Sequence, residues 1–392
     1  MSKKLLVLGV GGHRELGIKT LVKRGEFTTI LIDTFENRGF SSFFDEKLYI
    51  DKLDHPQEIL RLIEGNLEVS QIAGVITFSE HLVPIASWIS NKLQLPGINY
   101  EASLRARNKL LMRKSLNQTS VKQPEFHFLE NNETDIASIN SFPGVIKPVD
   151  MAASIGVKRI NSKEELAAAL KDIPDYNGRG YIYEEYIEGK EFSAEGFIQF
   201  GKPTTICITE KEVDDSNNSF VEEGHLLPYP FEESTKRDIE NKIKEIVMAL
   251  GLDNCIFHLE FKLSPDNQEL FFIEVGARPA GDFICDLVYH AIGVNIYDLQ
   301  FDIALGQEIN YQPRSVFQYA GIKFLEKGEF ELNENTGYQL LNIRLSKKSN
   351  DAGQKFSKSN TDRSAFVQLA ADSYKELKAE MKRSYDCTII SY

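Results

Sequence analysis

Two glutamates within one strand-rich segment could together bind a divalent cation. From Phe257 to Leu263 apolar and polar residues alternate, which predicts a half-buried strand with His258, Glu260 and Lys262 on one face. A turn cluster follows, and a second, largely apolar strand contains Glu274. If the two strands pair as an antiparallel hairpin, the glutamates face each other with Cβ atoms about 4.5–5.5 Å apart. Carboxylates that close repel, and Mg²⁺ would compensate, since it binds one or two carboxylates together with phosphate oxygens and water.

Arg278 lies four residues after Glu274, just past the predicted end of the second strand. A guanidinium at that place would lie beside a bound phosphate or a developing oxyanion. The alternative interpretation is an edge hairpin with two solvent-facing glutamates. The apolar run that surrounds Glu274 favours the metal-binding interpretation, because glutamate is rarely buried without a partner.

Lys147 and the loop after it could hold a phosphate chain. Lys147 follows the apolar stretch of PGVIKP, which predicts a lysine held in place rather than solvated. The next loop, MAASIGV, offers Ser154, Gly156 and several backbone N–H groups, and small residues of this kind can wrap phosphate oxygens. A surface hairpin with an exposed lysine is the alternative. Further on, YIYEEYIEGKEFSAEG mixes acidic, aromatic and β-branched residues, which indicates strand edges that meet at a hinge.

The first 100 residues have the pattern of a parallel α/β sheet. Short apolar strands at 4–8, 28–33 and 73–78 alternate with helical stretches. The glycines after the first strand look like a dinucleotide fingerprint, with Asp33 downstream. Their spacing is GxGG rather than GxGxxG, so a tight strand-to-helix turn is the alternative.

The rest of the chain divides by pattern into three further stretches. Residues 101–112 predict a basic helix, and 121–185 predict short strands around one helix, a small α+β unit. Residues 191–330 predict a larger mixed unit with an amphipathic helix, for which Ser234 is the predicted N-cap and Gly251 the C-terminal stop. From about 315 a strand-rich tail follows, with one late helix at 364–383.

Composition excludes several classes of function. The chain has 392 residues, 42% of them hydrophobic, which is enough for a sizeable core. A net charge of −13 disfavours non-specific binding to nucleic acid, and no apolar run is long enough to span a membrane. The Gly-rich N-terminus has no signal-peptide pattern. The cysteines are far apart and predict isolated thiols in a reducing cytoplasm: Cys207, Cys255, Cys285 and Cys387.

The order of these features resembles that of the ATP-grasp ligases along nearly the whole chain. Lys109 comes first, then Lys147, EEYIEGKE, Glu260, Glu274 and Arg278. The stretch FHLEFKL…IEVGARPAGDFICDLVYHAIGVN looks closest to the L-amino acid ligase and carnosine-synthase-like branch. The resemblance implies an α/β and α+β fold in four parts. These are a Rossmann-like domain (1–100), a small lid subdomain (101–185), a large ATP-grasp subdomain (186–314) and a strand-rich C-terminal subdomain (315–392).

The resemblance also implies roles for individual residues. Mg²⁺, or Mn²⁺ in its place, would be bound by Glu260 and Glu274, and Arg278 would stabilise the transferring phosphoryl group or the oxyanion. His258 would contact substrate beside the metal. The remaining implied residues would bind ATP: Lys109 and Lys147 its phosphates, Ser154 and Gly156 in a lid over them, Glu184, Glu185 and Ile187 the adenine, and Glu191 the ribose. One position departs from the family, since Gly276 stands where an asparagine metal ligand is usual.

The implied activity is ATP-dependent joining of a carboxylate to an amine, and both substrates are expected to be small molecules, namely amino acids. Neither nucleic acid nor a membrane is an expected partner, and the expected assembly is a homodimer. Asp282 could meet a substrate ammonium group, or it could be a helix N-cap. One alternative is an ATP-grasp enzyme for a phosphorylated nucleotide precursor, with His13, Arg14 and Arg38 as phosphate ligands. Others are a non-catalytic nucleotide-binding module, which Gly276 would suit, and a dinucleotide-dependent oxidoreductase.

Overall fold

A four-stranded parallel sheet forms the N-terminal unit, as the alternating pattern predicted. The computed structural model describes residues 3–12, 14–35, 40–130, 133–173, 179–213, 220, 222–266, 269–314, 317–325, 338–344 and 365–381. The sheet order is β3-β2-β1-β4. Its strands and helices are β1 (Lys4–Leu8), α1 (Glu15–Arg24), β2 (Thr28–Thr34), β3 (Glu46–Ile50), α2 (Pro56–Asn66), β4 (Ile72–Ile76) and α3 (Val83–Lys92). Strand β3 was not predicted. It is a half-exposed edge strand with charged residues, so its apolar pattern is weak.

The glycine-rich turn after β1 is tightly packed. Gly9 has a φ of +56°, and a Cβ there would lie 2.6 Å from Leu82 Cδ1. The carboxylate of Asp33 is buried and accepts a hydrogen bond from the backbone N–H of Thr34 at 2.8 Å. This geometry agrees with a tight strand-to-helix turn.

The basic segment predicted as one helix is two helices, α4 (Tyr100–Arg107) and α5 (Lys109–Leu116). Asn108 between them is extended, with φ −102° and ψ 113°, and its side chain accepts a hydrogen bond from the N–H of Leu111. An asparagine that caps a new helix interrupts the old one, since its backbone leaves the helical region. The break places Lys109 at the first turn of α5.

A small four-stranded sheet and its helices follow. The sheet order is β5-β8-β6-β7, and the pairings are antiparallel. Ser162 caps the second helix through the N–H of Glu165. The elements are β5 (Phe126–Leu129), α6 (Glu133–Ser138), β6 (Gly144–Pro148), β7 (Lys158–Ile160), α7 (Lys163–Asp172) and β8 (Tyr181–Glu185).

An antiparallel sheet of eight strands, in the order β13-β12-β9-β10-β11-β14-β16-β15, makes up the rest of the described chain. The C-terminal strands therefore continue the sheet that carries the predicted metal hairpin. The elements are β9 (Lys190–Gln199), β10 (Lys202–Val213), β11 (Glu222–Leu227), α8 (Glu233–Ala249), β12 (Cys255–Leu263), β13 (Leu270–Gly276), α9 (Ile284–Ile292), α10 (Ile296–Ala304), β14 (Tyr319–Phe324), β15 (Tyr338–Arg344), β16 (Phe366–Ala371) and α11 (Tyr374–Met381).

Two predicted helix boundaries in this part were wrong. Helix α8 begins at Glu233 and its N-cap is Glu232, so Ser234 already lies inside the first turn. The late helix is shorter than predicted, because residues 366–371 form the buried strand β16 between β14 and β15. Tertiary pairing decides that stretch, since a fully buried strand has no alternation to distinguish it from a helix. Gly251 does end α8, with a φ of +67°.

The cores follow the sheets. Helix α8 buries Ile239, Ile243 and Val247 against Phe192 and Phe257 of the large sheet. The predicted isolated thiols are free and buried at Cys207, Cys255 and Cys285, and Cys387 lies outside the described residues. Across the described ranges, no helix combines the length and apolarity needed to cross a membrane.

Candidate active site

A cleft open to solvent lies between the small sheet and the large sheet, with an empty volume of about 840 Å³ that includes part of the solvent at its mouth. Strands β6 and β8 supply one wall, strands β9, β10, β12 and β13 supply the other, and Lys109 of α5 adjoins both. Four lysines and six glutamates line it, together with apolar side chains such as Ile187 and Ile273. The cleft therefore combines cationic groups, an excess of carboxylates and an apolar surface.

The predicted hairpin of paired glutamates is confirmed. Strands β12 and β13 are antiparallel, and Glu260 is paired directly with Glu274; residues 267 and 268 of the turn lie outside the described part. Glu260 Oε1 lies 2.9 Å from Lys211 Nζ and 3.1 Å from His258 Nε2. Glu274 Oε2 lies 3.1 Å from Lys109 Nζ. Each carboxylate thus faces the cleft with a cation beside it.

Neighbouring charges keep Glu260 ionised although only 16% of its side chain is exposed. Burial alone would raise the pKa of its carboxyl group, but Lys211 and His258 lower that pKa well below the usual range. For His258 burial would lower the pKa, and Glu195 and Glu260 together raise it to about 9. His258 is therefore an imidazolium at neutral pH, held from behind by the buried Glu195, whose Oε1 lies 3.3 Å from Nδ1.

Lys211 is a central residue that the sequence patterns did not single out. Its buried ammonium lies 3.0 Å from Glu191, 3.0 Å from Glu222 and 2.9 Å from Glu260, on three different strands. Burial would lower the pKa of Lys211, but the three carboxylates raise it well above the usual value. The local signal was weak, since Lys211 is one of three charged residues inside the strand-forming run ICITEKEV, and its partners lie 11 to 49 residues away in sequence.

The prediction that Lys147 is held in place is confirmed. Lys147 Nζ lies 2.7 Å from Glu184 Oε2, and Arg113 Nε lies 2.7 Å from Glu184 Oε1. Burial would raise the pKa of Glu184, but Arg113 and Lys147 lower it to about 2. Lys109 Nζ donates to the carbonyl of Met151 at 2.6 Å, so both lysines stand beside the same loop.

The loop predicted to close over phosphates has an unusual backbone. Ala153 and Ser154 have φ of +57° and Gly156 has φ of +73°. A Cβ at Gly156 would lie 2.8 Å from Pro148 Cγ, so the glycine allows this loop to fold back on β6. Ser154 Oγ donates to the carbonyl of Phe220 at 3.1 Å. The N–H groups of Ile155 and Val157 donate to the carbonyls of Ala152 and Ser154, each at 3.2 Å, so the loop consists of tight turns.

The hinge residues line the cleft, but their side chains have other partners. The N–H of Glu185 donates to the carbonyl of Glu125 at 2.8 Å, and the side chain of Glu184 is committed to Arg113 and Lys147. Ile187 contributes apolar surface. Glu191, the predicted ribose residue, lies 3.0 Å from Lys211.

Arg278 and His258 lie beside the cleft, and neither is among its described lining residues. Arg278 Nη1 donates to the carbonyl of Pro279 at 2.8 Å, and its guanidinium forms an ion pair with Glu80 from the N-terminal unit. Glu80 was not predicted as a site residue. Nothing in the local sequence connects it to Arg278.

Of the three residues predicted for the alternative phosphate site, the structure describes Arg14. The guanidinium of Arg14 is buried and donates to the carbonyls of Ala280 at 2.6 Å and Phe78 at 3.1 Å. It joins the N-terminal unit to the segment before α9 and is not directed at a substrate phosphate. His13 and Arg38 lie outside the described residues.

Residues 140–286 match the family model of the ATP-grasp domain. Among curated proteins, the alanine–anticapsin ligase of Bacillus subtilis (strain 168) is 26% identical over 287 residues, which cover 66% of this chain and 60% of that ligase. The D-alanine–D-alanine ligase of Thermosipho africanus (strain TCF52B) is 24% identical over 200 residues, which cover 47% and 53%. The chain thus spans less than two thirds of the length of these relatives.

Two solved structures are similar over almost the whole chain. The L-amino acid ligase from Bacillus licheniformis superposes with a TM-score of 0.80 at 21% identity, covering 97% of this chain and 96% of that one. Phosphoribosylglycinamide synthetase from Anaerococcus prevotii gives a TM-score of 0.72 at 20% identity, with the same coverage. At these identities the likeness establishes the fold, which is the predicted one.

Proposed function

Because residues 140–286 match the ATP-grasp domain, we propose that this chain is an ATP-dependent carboxylate–amine ligase of that family. It would form an amide through an acyl phosphate and release ADP and phosphate. The observation that carries the proposal is the opposed pair Glu260 and Glu274 on the wall of a lysine-lined cleft. Such a pair supports metal-assisted phosphoryl transfer, since charge neutralisation is the main requirement of that reaction.

The cleft fits a nucleoside triphosphate. Its lining combines the apolar and cationic groups that such a ligand needs. Ile187 and Ile273 offer apolar surface for a base, and Lys109 and Lys147 offer two ammonium groups for phosphates. Both lysines are held by carboxylates, so their charges are already oriented before a ligand arrives.

The acidic residues fit Mg²⁺ only as a companion of the nucleotide. Among the described residues, no group of three or more histidines, cysteines or acids is placed to hold a metal ion. Two opposed carboxylates are what Mg²⁺ needs when phosphate oxygens and water complete its shell. When bound, the ion would neutralise phosphate charge during transfer. Six lining glutamates against four lysines also require added positive charge before a polyanion can enter.

The chemistry follows from the weakness of a carboxylate as an acyl donor. An oxygen of the substrate carboxylate attacks the γ-phosphorus, the bond to the bridging oxygen breaks, and ADP departs. The amine nitrogen then attacks the acyl carbon, the carbon–oxygen bond breaks, phosphate leaves, and the nitrogen loses a proton. Arg278 and His258 would stabilise negative charge on the oxygens, and the loop that contains Ser154 and Gly156 would exclude water.

We infer that the substrates are amino acids, which the ligase relatives support by their names. Asp282 stands four residues after Arg278, with 24% of its side chain exposed and its Oδ2 4.0 Å from His225 Nε2. It is not the N-cap of α9, because that position belongs to Phe283. A half-exposed carboxylate at this place suits a substrate ammonium group.

The test is a substrate screen with purified protein. ATP and Mg²⁺ are supplied with the proteinogenic amino acids, singly and in pairs, while phosphate release is followed and products are identified by mass spectrometry. Pair-dependent release with an amide product is expected. No release from any pair, from protein that still binds ATP, would refute ligation of proteinogenic amino acids and direct the screen to nucleotide precursors.

Two glutamates of the same hairpin make a matched pair of variants. Glu274→Gln removes a proposed metal ligand and should lower turnover by at least ~100-fold. Glu269→Gln removes a glutamate that pairs with Lys122 at the surface, with 46% of its side chain exposed, and should leave turnover unchanged. Equal activities would show that the opposed glutamates have no part in the reaction.

A further inference from the structure

Glu80 reaches from the N-terminal unit into the edge of the candidate active site. It begins a short 3₁₀ turn, Glu80–Leu82, that follows β4. Its carboxylate pairs with the guanidinium of Arg278, and only 15% and 16% of the two side chains are exposed. The two residues are almost 200 positions apart in sequence, so the packing of two units brings them together.

The carboxylate of Glu80 occupies the space in which a side chain at position 276 would begin. A Cβ on Gly276 would lie 2.6 Å from Glu80 Oε2, closer than real Cβ contacts. Gly276 pairs with His258 in the β12–β13 ladder and is not among the residues with positive φ. Its backbone therefore does not require glycine, and the space taken by Glu80 does.

This contact leaves no room for a side chain at position 276 while Glu80 stays where it is. Residue 276 follows Glu274 by two positions in β13, so both point to the same face of the sheet. An asparagine at 276 and the present position of Glu80 exclude each other sterically.

Among the described residues, Arg278 has two polar contacts, one of which is with Glu80. In the described part of the chain, Glu80 is the side chain that pairs with Arg278, and the remaining contact is to the carbonyl of the adjacent Pro279. Burial would raise the pKa of the Glu80 carboxyl group, but Arg278 above all, and then Arg107 and Lys109, lower that pKa below its usual value. The guanidinium is thus attracted by the charge of Glu80 on one side and donates a hydrogen bond to the Pro279 carbonyl on the other.

We propose that Glu80 is a positioning residue of the active site, which fixes Arg278 beside Glu274, and that Gly276 is the residue that makes room for it. The role of Arg278 in the reaction rests on the proposed function. The positioning of Arg278 by Glu80 does not depend on that function.

The first arm of the test is structural. Crystal structures of the wild type and of Gly276→Ala are compared. The added methyl group meets the end of a flexible side chain rather than backbone, so the fold should persist while Glu80 turns away and Arg278 shifts. An unmoved Glu80–Arg278 pair in Gly276→Ala would overturn the proposal.

The second arm is a kinetic cycle with whichever carboxylate and amine the wild type uses. Gly276→Ala and Glu80→Ala should each lower kcat by about 10- to 100-fold, because a misplacement of about 1 Å can cost that much. The KM for ATP should change less than about 2-fold, since the lysines that face the phosphates are untouched. The double variant should be no slower than Glu80→Ala, because the methyl group then has nothing to displace.

Other outcomes of the cycle contradict the proposal. If the losses of the two single variants multiply in the double variant, Gly276 acts independently of Glu80. If Glu80→Ala keeps the wild-type kcat, Glu80 does not position Arg278 for the reaction. A wild type that ligates no substrate would refute the proposed function, and the crystal structures would then decide the placing of Arg278 alone.

A control separates positioning from simple attachment of the N-terminal unit. Arg24 of α1 and Asp302 of α10 form another ion pair to that unit, 2.8 Å apart, away from the cleft. Asp302→Asn should leave kcat unchanged. If it lowers kcat as much as Glu80→Ala does, Glu80 is a structural attachment and not a positioning residue.

Discussion

Replacing Glu184 by glutamine should destabilise the protein strongly at neutral pH. Glu184 is the buried anion between two cations, with Arg113 and Lys147 each 2.7 Å from one of its oxygens. Glutamine keeps the shape but removes the charge, so two buried cations lose their counter-ion. The variant therefore isolates the electrostatic part of this network.

The lowered pKa of Glu184 and the usual cost of breaking a buried ion pair both correspond to about 3 kcal/mol. The pKa of Glu184 falls from 4.5 to about 2, and a fall of this size corresponds to roughly 3 kcal/mol of stabilisation of the charged form. Removing one partner of a buried ion pair costs about 3–5 kcal/mol. We therefore expect Glu184→Gln to lower the free energy of unfolding by about 3 kcal/mol at pH 7.

The pH dependence has a definite sign. A carboxyl group with a lowered folded-state pKa contributes stability above its unfolded pKa and loses that contribution as pH falls through the folded pKa. The difference in free energy of unfolding between wild type and variant should thus be largest above pH 4.5 and should shrink from there towards pH 2. Urea denaturation followed by far-UV circular dichroism, at pH 7 and at steps below pH 4.5, measures it.

The neighbouring glutamate supplies the control. Glu185 is exposed, so Glu185→Gln should change the free energy of unfolding by less than about 0.5 kcal/mol. If both variants have the midpoint of the wild type at pH 7, the buried network contributes no stability and the argument is wrong. If Glu184→Gln lowers the free energy of unfolding by the same amount at every pH, the effect cannot be assigned to the charge of Glu184.

Three further outcomes are expected. Lys211→Met leaves three carboxylates without their shared cation and should cost about 3–5 kcal/mol of unfolding free energy in urea titrations; a cost below about 1 kcal/mol would contradict this. Arg278→Ala should lower kcat by about 10²–10³-fold with little change in the KM for ATP, as phosphate-release kinetics would show, and an unchanged kcat would exclude a role in charge stabilisation. Because its pKa is raised to about 9, His258 contributes stability that is complete below pH 6.5 and is lost as pH rises through about 9. Urea denaturation should therefore show that His258→Gln lowers the free energy of unfolding most at the acidic end of that window. A loss of unfolding free energy that grows as pH rises would contradict this prediction.

Local patterns were sufficient for the elements that carry the site. Alternation in FHLEFKL and the turn after it predicted a hairpin, and a register centred on that turn opposed Glu260 to Glu274, as observed. The apolar run before Lys147 predicted a held lysine, and the structure shows the carboxylate that holds it. These predictions succeeded because strand pairing across a short turn and burial along a strand depend on neighbouring residues.

Long-range contacts required the tertiary structure. Lys211 became the centre of the site only when three other strands brought their carboxylates to it, and Glu80 met Arg278 only when two units packed together. Similarly, residues 366–371 became a strand because β14 and β15 lie on either side of them. The sequence by itself determined the hairpin, the lysine-bearing strand and the family order of the polar residues. Packing decided which charged groups pair with each other. Coulomb energy depends on the distance between two charges in space, and separation along the chain does not give that distance for residues on different elements.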